Sequence, residues 1–220
     1  MATTYSTGNQ TKEKIIKEAK KLLYKNGFSN TTYDHISQAA GINRALIPYH
    51  FTSKQILGQV IYSDIMNDFL THFDSIMDID EFSPDFVSIL HMVAYYKLLE
   101  NKPFTRFLAQ LQADINFSDF LEESESTLIE GFLQKNNRLT EEERHILLRS
   151  EIGMKKELIR MIEQSFVNID TVAKMQLILL LSYAGYSKKK IEELYDSATQ
   201  VIDLLDFTIT DAFNVEISFR

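Results

Sequence analysis

Residues 27–57 read GFSNTTYDHISQAAGINRALIPYHFTSKQIL, and the spacing of caps, apolar residues and glycine in this stretch decides the fold. Thr32 can cap a short helix that carries Ile36, Ala39 and Ala40 inward, and Gly41 supplies the left-handed stop after it. Asn43 is a good N-cap for a second short helix, in which Ile47 and Phe51 lie four apart on one face. Ser53 can then cap a longer helix with Ile56, Leu57, Val60, Ile61, Ile65 and Phe69 apolar. Two short helices joined by a tight Gly-containing turn, the second followed by aromatic and basic residues, fit a helix-turn-helix reader. That geometry needs small residues where the helices cross, here Ala39, Ala40 and Gly41, and a second helix short enough to lie in a major groove about 12 Å wide. Its exposed side would carry Arg44, Ala45, Tyr49 and His50.

Upstream, Ile15, Ile16, Ala19, Leu22 and Leu23 recur at helical spacing from Thr11 to Asn26, with Lys12, Lys14, Lys17, Lys21 and Lys25 opposite, and Gly27 ends the helix. Downstream the cap signals continue. Ser83-Pro84 starts a helix to about Glu100, Pro103 starts another, and Ser118 caps one that ends in the polar stretch Lys135–Leu139. Thr140 with Glu141, Glu142 and Glu143 is a capping-box pattern for a helix to about Gln164, so these acids need no catalytic role. Asp170 is expected to cap an apolar helix to Ala184, broken by Gly185. Ser187 starts a last helix to about residue 207 holding Ile191, Leu194, Tyr195, Ala198, Ile202 and Leu205. A weak alternation at Val215, Ile217 and Phe219 closes the chain without a clear assignment.

Composition agrees with helices throughout. The chain has 220 residues, 45% of them hydrophobic, enough for a sizeable core. Seven Gly and three Pro leave few of the breakers that hairpins and bulges need, so an all-α fold is expected rather than a sandwich or barrel. With no Cys, disulfide scaffolds, thiol catalysis and Cys-based zinc sites are excluded. Residues 1–14 are polar, and the longest apolar run, Leu177–Tyr186, is about half the ~20 residues of a spanning helix, so a cytoplasmic chain with no membrane partner is expected. The five His are scattered at 35, 50, 72, 91 and 145, and no phosphate-cradling loop, zinc pair or nucleophile elbow is present. No enzyme activity, metal or cofactor is expected. The net charge of −8 conceals a split: residues 1–65 hold eight basic and four acidic residues, net +4, and the remainder carries −12. A basic head suited to phosphates sits on an acidic body that repels them.

Gly27-Phe28, Thr31-Thr32, Ile36, Ala39-Ala40-Gly41-Ile42, Ile47, Tyr49-His50-Phe51 and Ser53-Lys54 together resemble the DNA-binding head of tetracycline-repressor (TetR) family regulators. The resemblance covers roughly residues 11–57. It implies an all-helical homodimer, with residues 1–52 as a head that reads double-stranded DNA at a palindromic operator. Residues 53–220 would form a body for dimerisation and for a small-molecule effector that releases the DNA. Carried over by position, Thr32 would bind a phosphate at the start of its helix, with Tyr33 beside it. Asn43, Arg44, Ala45, Leu46 and Pro48 fall on or next to the reading face. Arg44 would read base edges, and its guanidinium can fork onto guanine for about 1–3 kcal/mol of discrimination. Tyr49 and His50 match backbone-touching positions and Lys54 a phosphate clamp, contacts that position rather than specify.

Where the family commonly has Thr, Leu and Tyr, this chain has Leu46, Ile47 and Pro48, so a hydroxyl and a phenol usually offered to DNA are absent. Pro48, deep in a helix, would clash with a carbonyl one turn back, which predicts a short, tightened or bent reading helix. Leu46 or Pro48 can touch a thymine methyl. In the body, Phe69, Phe73 and Phe107, with His72, His91, Tyr95, Tyr96 and Gln110, are candidates for a pocket that takes an apolar or aromatic effector, although such a stripe also builds cores. The wide apolar arcs of the last two helices suit pairing with a second copy. A helical ligand-binding or protein-interaction dimer without specific DNA recognition is the alternative.

Overall fold

The computed structural model describes residues 2–113, 117–121 and 139–220, with side chains from Gly8 onward. Four helices build the first third: α1 (Ala2–Asn26), α2 (Tyr33–Ala40), α3 (Leu46–Phe51) and α4 (Lys54–Met77). A 3-10 turn at Ile79–Glu81 leads to α5 (Pro84–Leu98) and α6 (Lys102–Leu111), and residues 117–121 are helical. Then follow α7 (Glu141–Glu163), α8 (Ile169–Tyr183), α9 (Lys188–Ile202) and an antiparallel hairpin of β1 (Leu205–Ile209) and β2 (Val215–Phe219). The remainder of the helix expected from Ser118 to the stretch Lys135–Leu139 lies outside the described residues.

Side-chain caps set the helix starts. Thr32, Ser53, Ser83, Thr140 and Ser187 each accept a hydrogen bond from a backbone N–H in the first turn that follows, and at Thr140 the Glu143 carboxylate answers on the Thr140 N–H (2.7 Å). Asn101 rather than Pro103 begins α6, with Pro103 inside the first turn, where its missing N–H costs nothing. Asn168, not Asp170, caps α8, accepting from Thr171 N (3.1 Å), and Asp170 sits in the first turn against the helix dipole. At the other end of the chain, α1 begins well before Thr11.

The last helix stops at Ile202, short of the expected residue 207, because Leu205–Ile209 pairs with Val215–Phe219 in the register Leu205↔Phe219 to Ile209↔Val215. The alternation at Val215, Ile217 and Phe219 was therefore a strand signal. The hairpin is an appendage on a helical architecture.

One continuous hydrophobic core runs from Ile15 to Val215. Ile15, Ala19 and Leu23 of α1 meet Ile36, Ile47 and Phe51, and Ile61, Ile65, Phe69 and Phe73 carry the apolar side of α4 onward. Where α4 passes α6 and the loop after α1, Gly58 leaves no room for a side chain: a Cβ there would lie 2.6 Å from Leu111 and 2.8 Å from Phe28. Among the described residues no helix is long and apolar enough to cross a membrane.

Candidate nucleic-acid interface

At the start of α2, Thr32 takes an extended backbone and its Oγ1 accepts from His35 N (3.3 Å), while His35 Nδ1 accepts from Thr32 N (3.4 Å). Thr32 is exposed, and its own O–H remains available as a donor at the positive end of the helix. Its neighbour Thr31 is buried and donates to Gly27 O (2.8 Å), fastening the turn behind it. The helix ends at Gly41, φ +57°. Of the small residues expected at the crossing, Ala40 is buried while Ala39 and Gly41 face outward, so the close approach falls on Ala40, and Gly41 serves the left-handed stop.

The turn into α3 answers the question posed by Pro48. Asn43 Oδ1 accepts from Ala45 N (2.9 Å), Leu46 N donates to Asn43 O (3.0 Å), and Ile47 N donates to Arg44 O (3.1 Å). These tight three-residue closures let the helix proper start at Leu46, which puts Pro48 in its first turn, where no N–H is required. The reading helix is thus short, with Ile47 and Phe51 buried and Arg44, Ala45, Leu46, Pro48 and Tyr49 exposed. Tyr49 stands out at 79% exposure, its ring 5.1 Å from that of the half-buried His50. A phenol this exposed on a six-residue helix contributes little to the core.

Arg44 reaches back to Asp34 of α2, Nη1 to Oδ1 3.4 Å, with both side chains mostly in water. Such a surface pair is worth about 0–1 kcal/mol, weak enough for a base edge to displace. Tyr33 beside it is half-buried; burial raises its phenol above the ordinary value, and the Arg44 charge opposes that shift. Two cations that the sequence reading left on the solvent side of α1 also belong here. Lys12 Nζ lies 5.8 Å from the Phe51 ring centre, and Lys14 Nζ lies 3.9 Å from the position a Cβ on Gly41 would take. The alternation of lysines along α1 was the available signal, but not which helix they would flank.

Lys54 departs from the expected phosphate clamp. Its Nζ donates inward to Phe28 O (2.8 Å) and Thr31 O (3.0 Å) and lies 4.4 Å from the Phe28 ring centre, and burial lowers its pKa. It ties the start of α4 to the α1–α2 turn.

A helix-turn-helix unit with an exposed arginine thus sits on a helical body, the arrangement of a DNA-binding head. Residues 15–58 match the family model described as bacterial regulatory proteins, tetR family. Two solved structures show the same fold through the body. RolR in complex with resorcinol is similar over 86% of this chain and 95% of its own, with TM-score 0.64 at 16% identity. RolR without ligand is similar over 84% and 96%, with TM-score 0.58 at 16% identity.

Below the head, the candidates for effector contact separate into four places. Phe69, Phe73 and His91 form one group: ring centres lie 5.8 Å apart for Phe69–Phe73 and 5.4 Å for Phe73–His91. His91 Nε2 donates to Asp74 Oδ1 (2.5 Å), and its Nδ1 is buried without a partner. Tyr95 and Tyr96 are buried with ring centres 5.8 Å apart, and Lys155 of α7 lies 4.2 Å over the Tyr95 ring. Near them the sequence reading missed Glu151 and Gln176, both buried, with the Gln176 amide donating to Glu151. Nothing local marks that pair, since 25 residues separate its members.

The other three candidates are engaged elsewhere. His72 is exposed and its Nδ1 donates to Val215 O of the hairpin (2.9 Å). Gln110 accepts from Ser29 N (2.9 Å), and Phe107 packs against Phe28 (6.3 Å between ring centres), so both belong to the joint between head and body. Arg106 completes that joint by donating to Tyr24 O (2.8 Å) and Lys25 O (3.1 Å) at the end of α1. The places of Arg106 and Gln110 follow from helix position: α6 lies under α1, so Arg106 meets carbonyls at the end of α1 and Gln110 meets a backbone N–H in the turn that follows. Phe132, a further large side chain of the aromatic middle segment, and Glu122, Glu123 and Glu125, acids expected to face water, lie outside the described residues.

Proposed function

We propose that the chain is a dimeric, effector-responsive repressor that reads a palindromic operator in double-stranded DNA, in the cytoplasm. The observation that carries this reading is the row of exposed side chains on α3, Arg44, Ala45, Leu46, Pro48 and Tyr49, presented by a helix whose other side is buried. Residues 1–52 act as the head and 53–220 as the body. Arg44 reads a base edge, the Thr32 hydroxyl and the α2 N-terminus grip a phosphate, and Asn43, Tyr33, Tyr49 and His50 position the helix, with Lys12 and Lys14 alongside. The Pro48 position favours this over a head that has lost DNA recognition, since the proline fits the first turn and leaves the reading face intact.

Pairing is supported by α8, where Met175, Leu179 and Tyr183 are 50%, 42% and 57% exposed at four-residue spacing, an apolar stripe that a second copy would cover. Two heads about 34 Å apart would then meet successive major grooves. The effector is a small apolar or aromatic molecule held among Phe69, Phe73, His91, Tyr95 and Tyr96, with Glu151 and Gln176 as polar anchors; RolR, of the same fold, takes the aromatic ligand resorcinol. Ligand that favours one setting of α4 and α6 changes head spacing by population shift. The test is selection of duplexes from a random pool by the purified chain. Two protomers per selected duplex, affinity at least about 1,000-fold above random duplex and a steep loss with salt are expected. Equal grip on selected and random duplex overturns the reading.

A further inference from the structure

The C-terminal hairpin lies far along the chain from the reading helix, yet it fastens the head's supports. Its connection closes with Phe213 N donating to Thr210 O (3.0 Å) and Thr210 N to Asn214 O (3.0 Å). That turn holds Phe213 at φ +58°, left-handed backbone that glycine adopts freely and a phenylalanine does not. A side chain persists in such a place where its surroundings over-determine it. Phe213 is fully buried, with ring centres at 5.2 Å from Tyr24 of α1, 5.1 Å from Phe107 of α6 and 6.3 Å from Phe104 of α6. The Ile209 carbonyl on the adjoining strand accepts from Tyr24 Oη (3.4 Å) and from Asn101 Nδ2 (3.3 Å), and Val215 O takes the His72 bond from α4.

One hairpin therefore grips α1, α4 and α6, the three helices whose mutual tilt sets how the head stands on the body. The contacts continue toward DNA. Phe107 packs on Phe28, Lys54 lies over Phe28 and bonds the Phe28 and Thr31 carbonyls, and Thr32, the phosphate-gripping cap, is the next residue. We propose that Phe213 is a positioning residue for operator recognition: through Tyr24 and Phe107 it fixes the attitude of α1 and the α1–α2 turn, and hence of both heads of the dimer. The proposal rests on the operator reading above. A rigid head angle matters only when two heads must meet two half-sites at once, so this residue acts on specific binding and leaves single-head attraction to phosphates alone.

The experiment uses the full chain, the duplex that the wild type selects from a random pool, and a random duplex of equal length. Phe213→Gly removes the ring and relieves the left-handed turn. It is expected to weaken selected-duplex binding about tenfold, as a coupling carried through packed side chains does, while random-duplex affinity changes less than about twofold. Circular dichroism and the oligomeric state stay as in the wild type, and Phe213→Leu, which refills most of the space, restores most of the loss. Tyr24→Phe, which keeps the ring and removes only the bond to Ile209 O, moves selected binding in the same direction by about twofold. A folded, dimeric Phe213→Gly chain that binds the selected duplex as the wild type does overturns the proposal, as does an equal loss on both duplexes. Should Phe213→Gly fail to fold, Tyr24→Phe decides alone, and unchanged selected binding overturns the proposal. A wild type that selects no duplex instead breaks the operator reading before any variant is made.

Discussion

Head and body spend their polar side chains differently. In the head, Thr32, Asn43 and Ser53 bond backbone two or three residues away, at His35, Ala45 and Ile56. In the body and at its joint, the partners are remote: Glu151 with Gln176, Arg106 with Tyr24, Asp85 with Tyr186 and His72 with Val215 stand 25, 82, 101 and 143 residues apart. A head built from short-range caps, with Lys54 bonding the Phe28 and Thr31 carbonyls as its longer tie, presents one fixed surface. A body built from cross-chain contacts depends on how its helices are set against one another, and a ligand can bias that setting.

The head's surface is the place to strike hardest. Arg44→Ala removes the one exposed guanidinium on the reading face, and each base edge left unread costs about 1–3 kcal/mol, so two half-sites together weaken binding roughly 30-fold or more. Base preference should relax at one position per half-site in a repeated selection, with random-duplex affinity nearly unchanged. Preference retained at every position would show that Arg44 stays with Asp34 and reads nothing.

Lys54 separates the two regions' chemistry. A phosphate clamp removed by Lys54→Met would weaken all duplexes alike and flatten the salt slope by about one unit. The inward bonds to Phe28 O and Thr31 O predict another outcome: a head less stable by about 1–3 kcal/mol in thermal unfolding, with the slope of affinity against salt unchanged. A flattened slope with an unchanged melting temperature would return Lys54 to the DNA.

The same contrast explains what the sequence discloses. Thr32 and Ser53 announce the head because a cap and the N–H it satisfies lie within one turn, and Gly41 because it takes the left-handed stop; Asn43, expected as the cap of α3, instead braces the turn through Ala45 N, and the cap position falls to Ala45. Thr140 with Glu143 is legible in the body for the same reason. The partners of Gln110 and His72 were not legible, because an isolated polar residue on an amphipathic helix does not disclose which distant carbonyl or N–H it meets. The hairpin was missed since its strands are five residues each, and Phe213 occupies the left-handed turn position where glycine would have signalled the turn. Asp170 and Asn168 are both good caps two residues apart, and only the observed bond to Thr171 N decides between them.

The smallest test asks whether the body's remote contacts form as described. Tyr186, in the loop after α8, donates to Asp85 Oδ2 (2.6 Å) at the start of α5, and burial together with that carboxylate pushes its phenol from 10.0 up to about 12. The native phenol keeps its proton above pH 10, where the unfolded chain releases it. The contribution to stability is therefore whole below pH 10 and fades as pH rises toward about 12. Because the pair is only partly buried, the effect on stability is at most about 1 kcal/mol. Ultraviolet titration of Tyr186→Phe should lack one of the late phenols that the wild type shows, and the stability difference between the two chains should shrink over that pH window. If the two chains show the same late phenols, α5 and the α8–α9 loop do not meet as described, and the contrast between a locally capped head and a body held by remote contacts loses one of its supports.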